Sequence, residues 1–349
     1  MGPSVTASVV DLRSDTVTRP TAEMRAAIAE AEVADDLLDG DPTTRRLEER
    51  VAELLGKERA LFFPSGVMAN QAALAVLAEP GTEVVLEAGA HVFHYEEGAA
   101  ARLSGLQLRP VPTADGLLTA PEVRSAIRPA SPYVIRTSAV VLENTHLASG
   151  GRVHPLDEQR RIRSVAAERG LAIHLDGARL WHAAVATGAE LAELAEPADT
   201  VMVSLSKGLG APVGSVLAGS GEVIGAAWRV RRRFGGGMRQ SGVLAAAGLH
   251  ALEHPLDRLG VDHENARRLA RGVAEIPGID AAAPETNIVF VEITGEEIDG
   301  DLVLDALEDR GVLLIRFGPR RLRAVTHRDV DAAGIDRAVN ALADAVGEG

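Results

Sequence analysis

The chain predicts an α/β fold: a mostly parallel sheet with helices on both faces, followed by a smaller α+β unit. Three observations predict it. From residue 43 to about 252, short apolar runs of strand length alternate with segments of helical period. Polar turn residues close those runs, as in Pro64-Ser-Gly66 and Ser204–Gly208. Beyond His254-Pro255 the pattern shifts to a long charged helix and then mixed short strands and helices.

Taken in order, residues 1–44 read as an arm packed over the domain or over a neighbour. Asp11–Pro20 is too polar for a core strand, Thr21 is placed to cap a helix over 22–34, and 35–42 form an acidic turn. The large domain, 45–255, opens on a helix with Leu47, Val51, Leu54 and Leu55 on one face, for which Thr44 is the candidate cap. Strands follow at 60–63, 83–86, 106–111, 139–142, 171–175, 200–203 and 215–218, seven in all. Helices are expected at 67–77, 92–102, 120–127, 155–168, 222–233 and 239–252. The small domain, 256–349, carries helices at 256–275, 301–310 and 329–346 and strands at 287–291, 312–316 and 323–325.

Composition excludes several functions. A hydrophobic content of 46% means a real core, and a net charge of −14 argues against nucleic acid or an anionic membrane surface as partner. No cysteine is present, so disulfide and thiolate chemistry are excluded. No apolar run approaches the ~20 residues of a membrane span. Residues 1–10 lack a signal peptide's basic start and apolar core, so a cytoplasmic protein is expected.

Chemistry concentrates at Val201-Met-Val-Ser-Leu-Ser-Lys-Gly-Leu-Gly210. The chain uses 34 arginines and only two lysines, Lys57 and Lys207. Lysine, unlike arginine, can lose its proton and form an imine. Lys207 follows an apolar strand, where α/β sheets collect ligands. Lys57 ends an amphipathic helix and reads as solvated. Asp176, in Ile173-His-Leu-Asp-Gly-Ala-Arg179, also sits at a strand's C-terminal end. A carboxylate there suits the pyridine nitrogen of pyridoxal phosphate. Ser65, Gly66 and Val67 open a helix, where backbone N–H groups receive phosphate. Gly235-Gly-Gly237 allows close backbone approach beside Arg232 and Arg239, which suit a phosphate dianion. Of ten histidines, His91 falls just after a strand, His174 reads as core, and none forms a zinc motif; no metal is expected.

Five blocks in order resemble the low-specificity threonine aldolase family: Asp11-Leu-Arg-Ser-Asp-Thr-Val-Thr-Arg-Pro20, Leu142-Glu-Asn-Thr-His146, His174-Leu-Asp-Gly-Ala-Arg179, Ser204-Leu-Ser-Lys-Gly-Leu-Gly210 and Gly235-Gly-Gly-Met-Arg-Gln-Ser-Gly242. The resemblance runs from Asp11 to about residue 346 and implies fold type I, the fold of pyridoxal-phosphate-dependent transferases. It implies that Lys207 carries pyridoxal 5'-phosphate, Asp176 faces the ring nitrogen and His91 stacks on the ring. Ser65–Val67 and Ser204 are implied to line the cofactor. Arg179 is implied near the ring oxygen and substrate carboxylate, with Ser14 and Arg323 also binding that carboxylate. Arg232 and Arg239 are implied to reach a neighbouring subunit's cofactor, in a homodimer commonly doubled to a tetramer. The implied reaction splits a β-hydroxy-α-amino acid into glycine and an aldehyde, with His91 moving the hydroxyl proton.

Three positions depart from the family pattern. Leu38 stands where tyrosine is usual, Tyr133 where a substrate-facing histidine is usual, and Val67 where threonine is common. The cofactor machinery is kept while the pocket around the β-substituent changes. Rival readings are β-elimination or transamination on the same fold, and a non-catalytic binding protein.

Overall fold

A computed structural model describes residues 9–253 and 256–348. The chain forms two compact units, Arg19–Leu256 and a second that joins the described residues up to Thr18 with those from Asp257 onward. The domain boundary expected at His254-Pro255 lies outside the described residues.

The larger unit is built on a seven-stranded sheet. Its strands are β1 (Arg59–Phe63), β2 (Glu83–Glu87), β3 (Gln107–Val111), β4 (Thr137–Glu143), β5 (Ala172–Gly177), β6 (Thr200–Ser204) and β7 (Ser215–Gly219). They lie in the order β1-β7-β6-β5-β4-β2-β3. The β3–β2–β4–β5–β6 pairs are parallel, and β7 is antiparallel to both β6 and β1. Every residue of β2, β4, β6 and β7 is buried, the continuous apolar signature of strands covered on both faces. Only the edge strand β3 is half exposed, and it alone carries a proline, Pro110, whose missing N–H is tolerated at an edge.

The helices are α1 (Ala22–Ala29), α2 (Pro42–Leu54), α3 (Gly66–Leu77), α4 (His91–His94), α5 (Ala99–Ser104), α6 (Ala120–Ala126), α7 (Leu156–Glu168), α8 (Leu180–Thr187), α9 (Leu191–Ala195), α10 (Gly221–Arg233) and α11 (Gly242–Leu252). Thr21 caps α1 as its sequence position suggests, accepting from the Met24 N–H at 3.1 Å. Several expectations are corrected. The cap of α2 is Asp41, which accepts from Thr44 N at 2.9 Å, with Pro42 at the first helical position. The helix expected over 92–102 is broken in two, because Glu97 and Gly98 take left-handed φ values of 53° and 67°. Helices α8 and α9 occupy a stretch for which the sequence pattern suggests no element. Lys57 is half-buried rather than solvated: its Nζ donates to the Ala198 carbonyl at 2.6 Å, and burial lowers its pKa despite Asp199 and Glu196 nearby.

The smaller unit pairs Val10–Asp11 in parallel with Val312–Leu313. Its four-stranded sheet runs Ile315–Gly318, Arg321–Val325, Ile288–Ile293 and Ile279–Asp280, covered by helices Leu259–Val273, Gly300–Asp309 and Ala332–Glu348. Among the described residues no helix is long and apolar enough to cross a membrane.

Gly214 shapes the turn that precedes β7. It has φ +117°, its carbonyl accepts from Leu205 N at 3.0 Å, and an added Cβ would lie 2.5 Å from the Phe62 ring. Gly214→Ala is expected to cost roughly 1–3 kcal/mol, read as a lowered midpoint in urea, because neither the φ nor the Phe62 contact relaxes cheaply.

Candidate active site

Strand β5 begins Ala172-Ile-His-Leu and delivers Asp176, 1% exposed, at its C-terminal end. Its parallel neighbour β6 sets Met202 opposite Asp176. Three residues beyond β6 comes Lys207, in a turn closed by Leu205 O to Ala211 N at 3.0 Å and Lys207 O to Gly210 N at 2.8 Å. Trp181 from α8 braces the strand end, its indole N–H donating to Ser204 O at 2.8 Å. A cavity of about 140 Å³ results, lined by His91, Asp176, Ser204 and Lys207 together with Gly66, Val67, Asn70, Ala178, Met202 and Ser206.

Helix α3 aims its N-terminus at this cavity. Ser65 caps it, its Oγ accepting from Met68 N at 3.2 Å. The N–H groups of Gly66 and Val67 precede the first possible intrahelical acceptor, so they suit an anion.

Behind the cavity lies a buried polar network. The Asn70 amide N–H group donates to Asp176 Oδ2 and to Glu96 Oε1, both at 2.8 Å. Asn70 Oδ1 lies 3.0 Å from His174 Nε2, and His174 Nδ1 lies 2.9 Å from Thr200 Oγ1. Burial pushes the His174 pKa down to about 4, so this ring is neutral. The second Asp176 oxygen accepts from Ala178 N at 3.1 Å. Glu143 accepts the backbone N–H of His91 at 2.7 Å and of Leu147 at 2.8 Å. It thereby caps α4, whose own cap position, Ala90, offers no side-chain acceptor. Burial raises the pKa of Glu143.

Donor atoms of His91, Glu96 and Asp176 fall within 4.8 Å of one another, a spacing a cation also accepts. Here the Asn70 N–H group bridges the two carboxylates in that role.

The remaining candidates lie elsewhere. Arg179 is buried at the start of α8, next to the site but off the cavity lining. Arg232 is exposed, its guanidinium 5.0 Å from the Trp228 ring, and Arg239 is exposed and 3.2 Å from Asp35. Leu38, 78% exposed, lines a different cavity of about 570 Å³ shared with Arg45, Glu48, Trp228 and Arg231. Tyr133, 95% exposed, precedes the N-terminal end of β4, whereas Asp176 sits at the C-terminal end of the parallel β5. A seven-residue strand, about 20 Å long, separates those edges. Leu38 and Tyr133 therefore do not line the cavity of their own chain. Ser14 and Arg323 belong to the smaller unit, where Arg323 donates to Arg13 O, one residue from Ser14, at 3.1 Å. Within the basic run on α10, Arg231 is fully buried, donating to Phe62 O and Asp36 at 2.7 Å each.

Sequence reasoning missed Asn70, Glu96 and Glu143. Asn70 and Gln71 did carry a signal, a polar pair inside the apolar run of α3. Glu96 carried none; it is buried immediately before the break at Glu97.

The beta-eliminating lyase family model matches residues 11–296. Low-specificity L-threonine aldolase 1 of Arabidopsis thaliana is 43% identical over 333 residues, covering 93% of each chain. The low specificity L-threonine aldolase of Escherichia coli K12 is 43% identical over 323 residues, 92% of this chain and 95% of the relative. A solved structure of Leishmania major threonine aldolase superposes with a TM-score of 0.82 at 21% identity, over 97% of this chain and 99% of its own, a likeness of fold. The aspartate aminotransferase of Rhizobium meliloti shares that fold, with a TM-score of 0.72 at 17% identity. With its lysine and carboxylate converging on one cavity and this similarity along nearly its whole length, the chain belongs to the beta-eliminating lyase family, among the low-specificity threonine aldolases.

Proposed function

We infer that the protein is a pyridoxal-phosphate-dependent aldehyde-lyase that splits L-threonine and related β-hydroxy-α-amino acids into glycine and an aldehyde. The observation that carries the reading is the convergence of Lys207 and Asp176 on one cavity with the N-terminus of α3. The residues fit the cofactor. Lys207 would hold it covalently, Gly66 and Val67 N–H groups and Ser65 its phosphate, and Asp176 its ring nitrogen. Bound there, pyridoxal phosphate supplies an electron-accepting ring for the pair left on Cα when Cα–Cβ breaks.

The chain's own side chains do the rest. Asn70 and Ala178 keep the Asp176 carboxylate supplied with N–H donors. His91 takes the β-hydroxyl proton. Arg179, Ser14 and Arg323 are assigned to the substrate carboxylate. Arg232, Arg239, Leu38 and Tyr133 are assigned to the site of a second copy, which makes the working unit a homodimer or a pair of homodimers. Their outward positions in one chain support this assignment. Mixing Lys207→Ala with Arg239→Ala chains is expected to restore activity that each variant lacks alone, measured as acetaldehyde release from L-threonine. A mixture as inactive as its parts would place each site within one chain.

Leu38 and Tyr133 in place of the usual ring-bearing residues point to a shifted preference at the β-substituent. Steady-state assay of L-threonine, L-allo-threonine and L-phenylserine with product analysis is expected to give glycine plus aldehyde from all three, with L-threonine not the best substrate. A plain L-threonine preference contradicts the shift, and a keto acid in place of glycine would assign β-elimination or transamination.

A further inference from the structure

Glu96 has no role in the proposed reaction so far, yet it is 1% exposed and engaged at both oxygens. Its Oε1 accepts from Asn70 Nδ2 at 2.8 Å and lies 3.1 Å from His91 Nδ1, while its Oε2 accepts from Gln71 Nε2 at 2.6 Å. Burying a carboxylate is costly unless hydrogen bonds and charge offset it. The offset here leads directly to the imidazole that lines the cavity.

Proton positions along this chain follow from chemistry. His174 is neutral, so it carries one N–H. Asn70 Nδ2 already faces two carboxylates, which only a donor satisfies. Asn70 Oδ1 must therefore accept from His174 Nε2–H, and His174 Nδ1 accepts from the Thr200 hydroxyl. The amide cannot flip without opposing its oxygen to two carboxylates. Glu96 is thus held with Oε1 toward His91, where the only compatible partner is Nδ1–H. In the neutral ring this leaves the lone pair on Nε2.

We propose that Glu96 is the positioning residue for His91, fixing its tautomer and raising its basicity so that Nε2 takes the β-hydroxyl proton during cleavage. The inference rests on the aldolase reading. In the step, the O–H proton passes to Nε2, the O–H pair becomes the second bond of the aldehyde C=O, and the Cα–Cβ pair stays with Cα, which takes a proton to become glycine. In condensation the imidazolium returns the proton to the same oxygen.

The charges around His91 agree. Burial disfavours its cation, but the hydrogen bond to Glu96 and the charge of Asp176 outweigh that and the repulsion from Lys207, so its pKa is raised. Tyr95 adds a ring 5.5 Å away, and Glu143 holds the backbone N–H. A base with a pKa near the working pH is the effective one.

The test is Glu96→Gln in the cofactor-loaded protein. Since Nε2 must be unprotonated, the acid limb of kcat/KM tracks the His91 pKa. Loss of the carboxylate is expected to move that limb to lower pH and to cut kcat roughly tenfold or more. The cofactor's visible absorbance should stay intact, and Glu96→Asp should restore part of kcat. Gln71→Met, which strips a donor from Oε2 and leaves the carboxylate a stronger acceptor for His91 Nδ1–H, should move the limb the opposite way. It serves alone if Glu96→Gln does not fold. The His91 titration followed by imidazole proton resonances, assigned through their loss in His91→Gln, needs no turnover. A shifted titration in a protein that makes no glycine would retain the Glu96–His91 coupling and sink the aldolase reading. An unmoved limb and an unmoved titration, with only melting temperature or absorbance changed, would reduce Glu96 to a packing role and overturn the proposal.

Discussion

One amide governs the site. Asn70 donates both of its N–H bonds to buried carboxylates and receives one from a neutral imidazole. A carboxyl group buried as deeply as Asp176, at 1% exposure, is costly to leave without hydrogen-bond donors. Asn70 and Ala178 supply them, and Thr200 and His174 keep Asn70 from turning over. Asp176 and the histidine on the cavity wall are thereby linked through one side chain on α3. The same helix presents its N-terminus to the cavity through Gly66 and Val67.

The parallel sheet makes this possible. Because β4, β5 and β6 run the same way, their last residues, Glu143, Asp176 and Ser204, arrive at one edge. Each then does a different task. Glu143 caps α4 and so seats His91, Asp176 faces the cavity, and the turn after Ser204 carries Lys207. The reversal at β7 lets Gly214 pin that turn from the other side.

Much of this could be read from sequence because strand ends are local features. An apolar run followed by Asp176-Gly or Ser206-Lys207-Gly announces both the strand and its functional edge. The helix start beside the cavity is similarly readable from Ser65-Gly66. What escaped depends on long-range packing. Glu96 is buried immediately before Glu97 and Gly98, whose left-handed backbone breaks the helical pattern that the sequence suggests. Arg231, within the basic run of α10, reaches Asp36 across 195 residues. Lys57 looked solvated because the carbonyl that receives it, Ala198, lies 141 residues away. Spacing along a chain does not encode such pairs.

The presence of only two lysines permits a direct test of the covalent claim. Borohydride reduction of the protein loaded with pyridoxal phosphate, followed by mass mapping of its peptides, traps any cofactor–lysine imine where it stands. The account predicts a pyridoxyl group on the peptide carrying Lys207 and none on the peptide carrying Lys57. Label on Lys57, or on neither lysine, would contradict it.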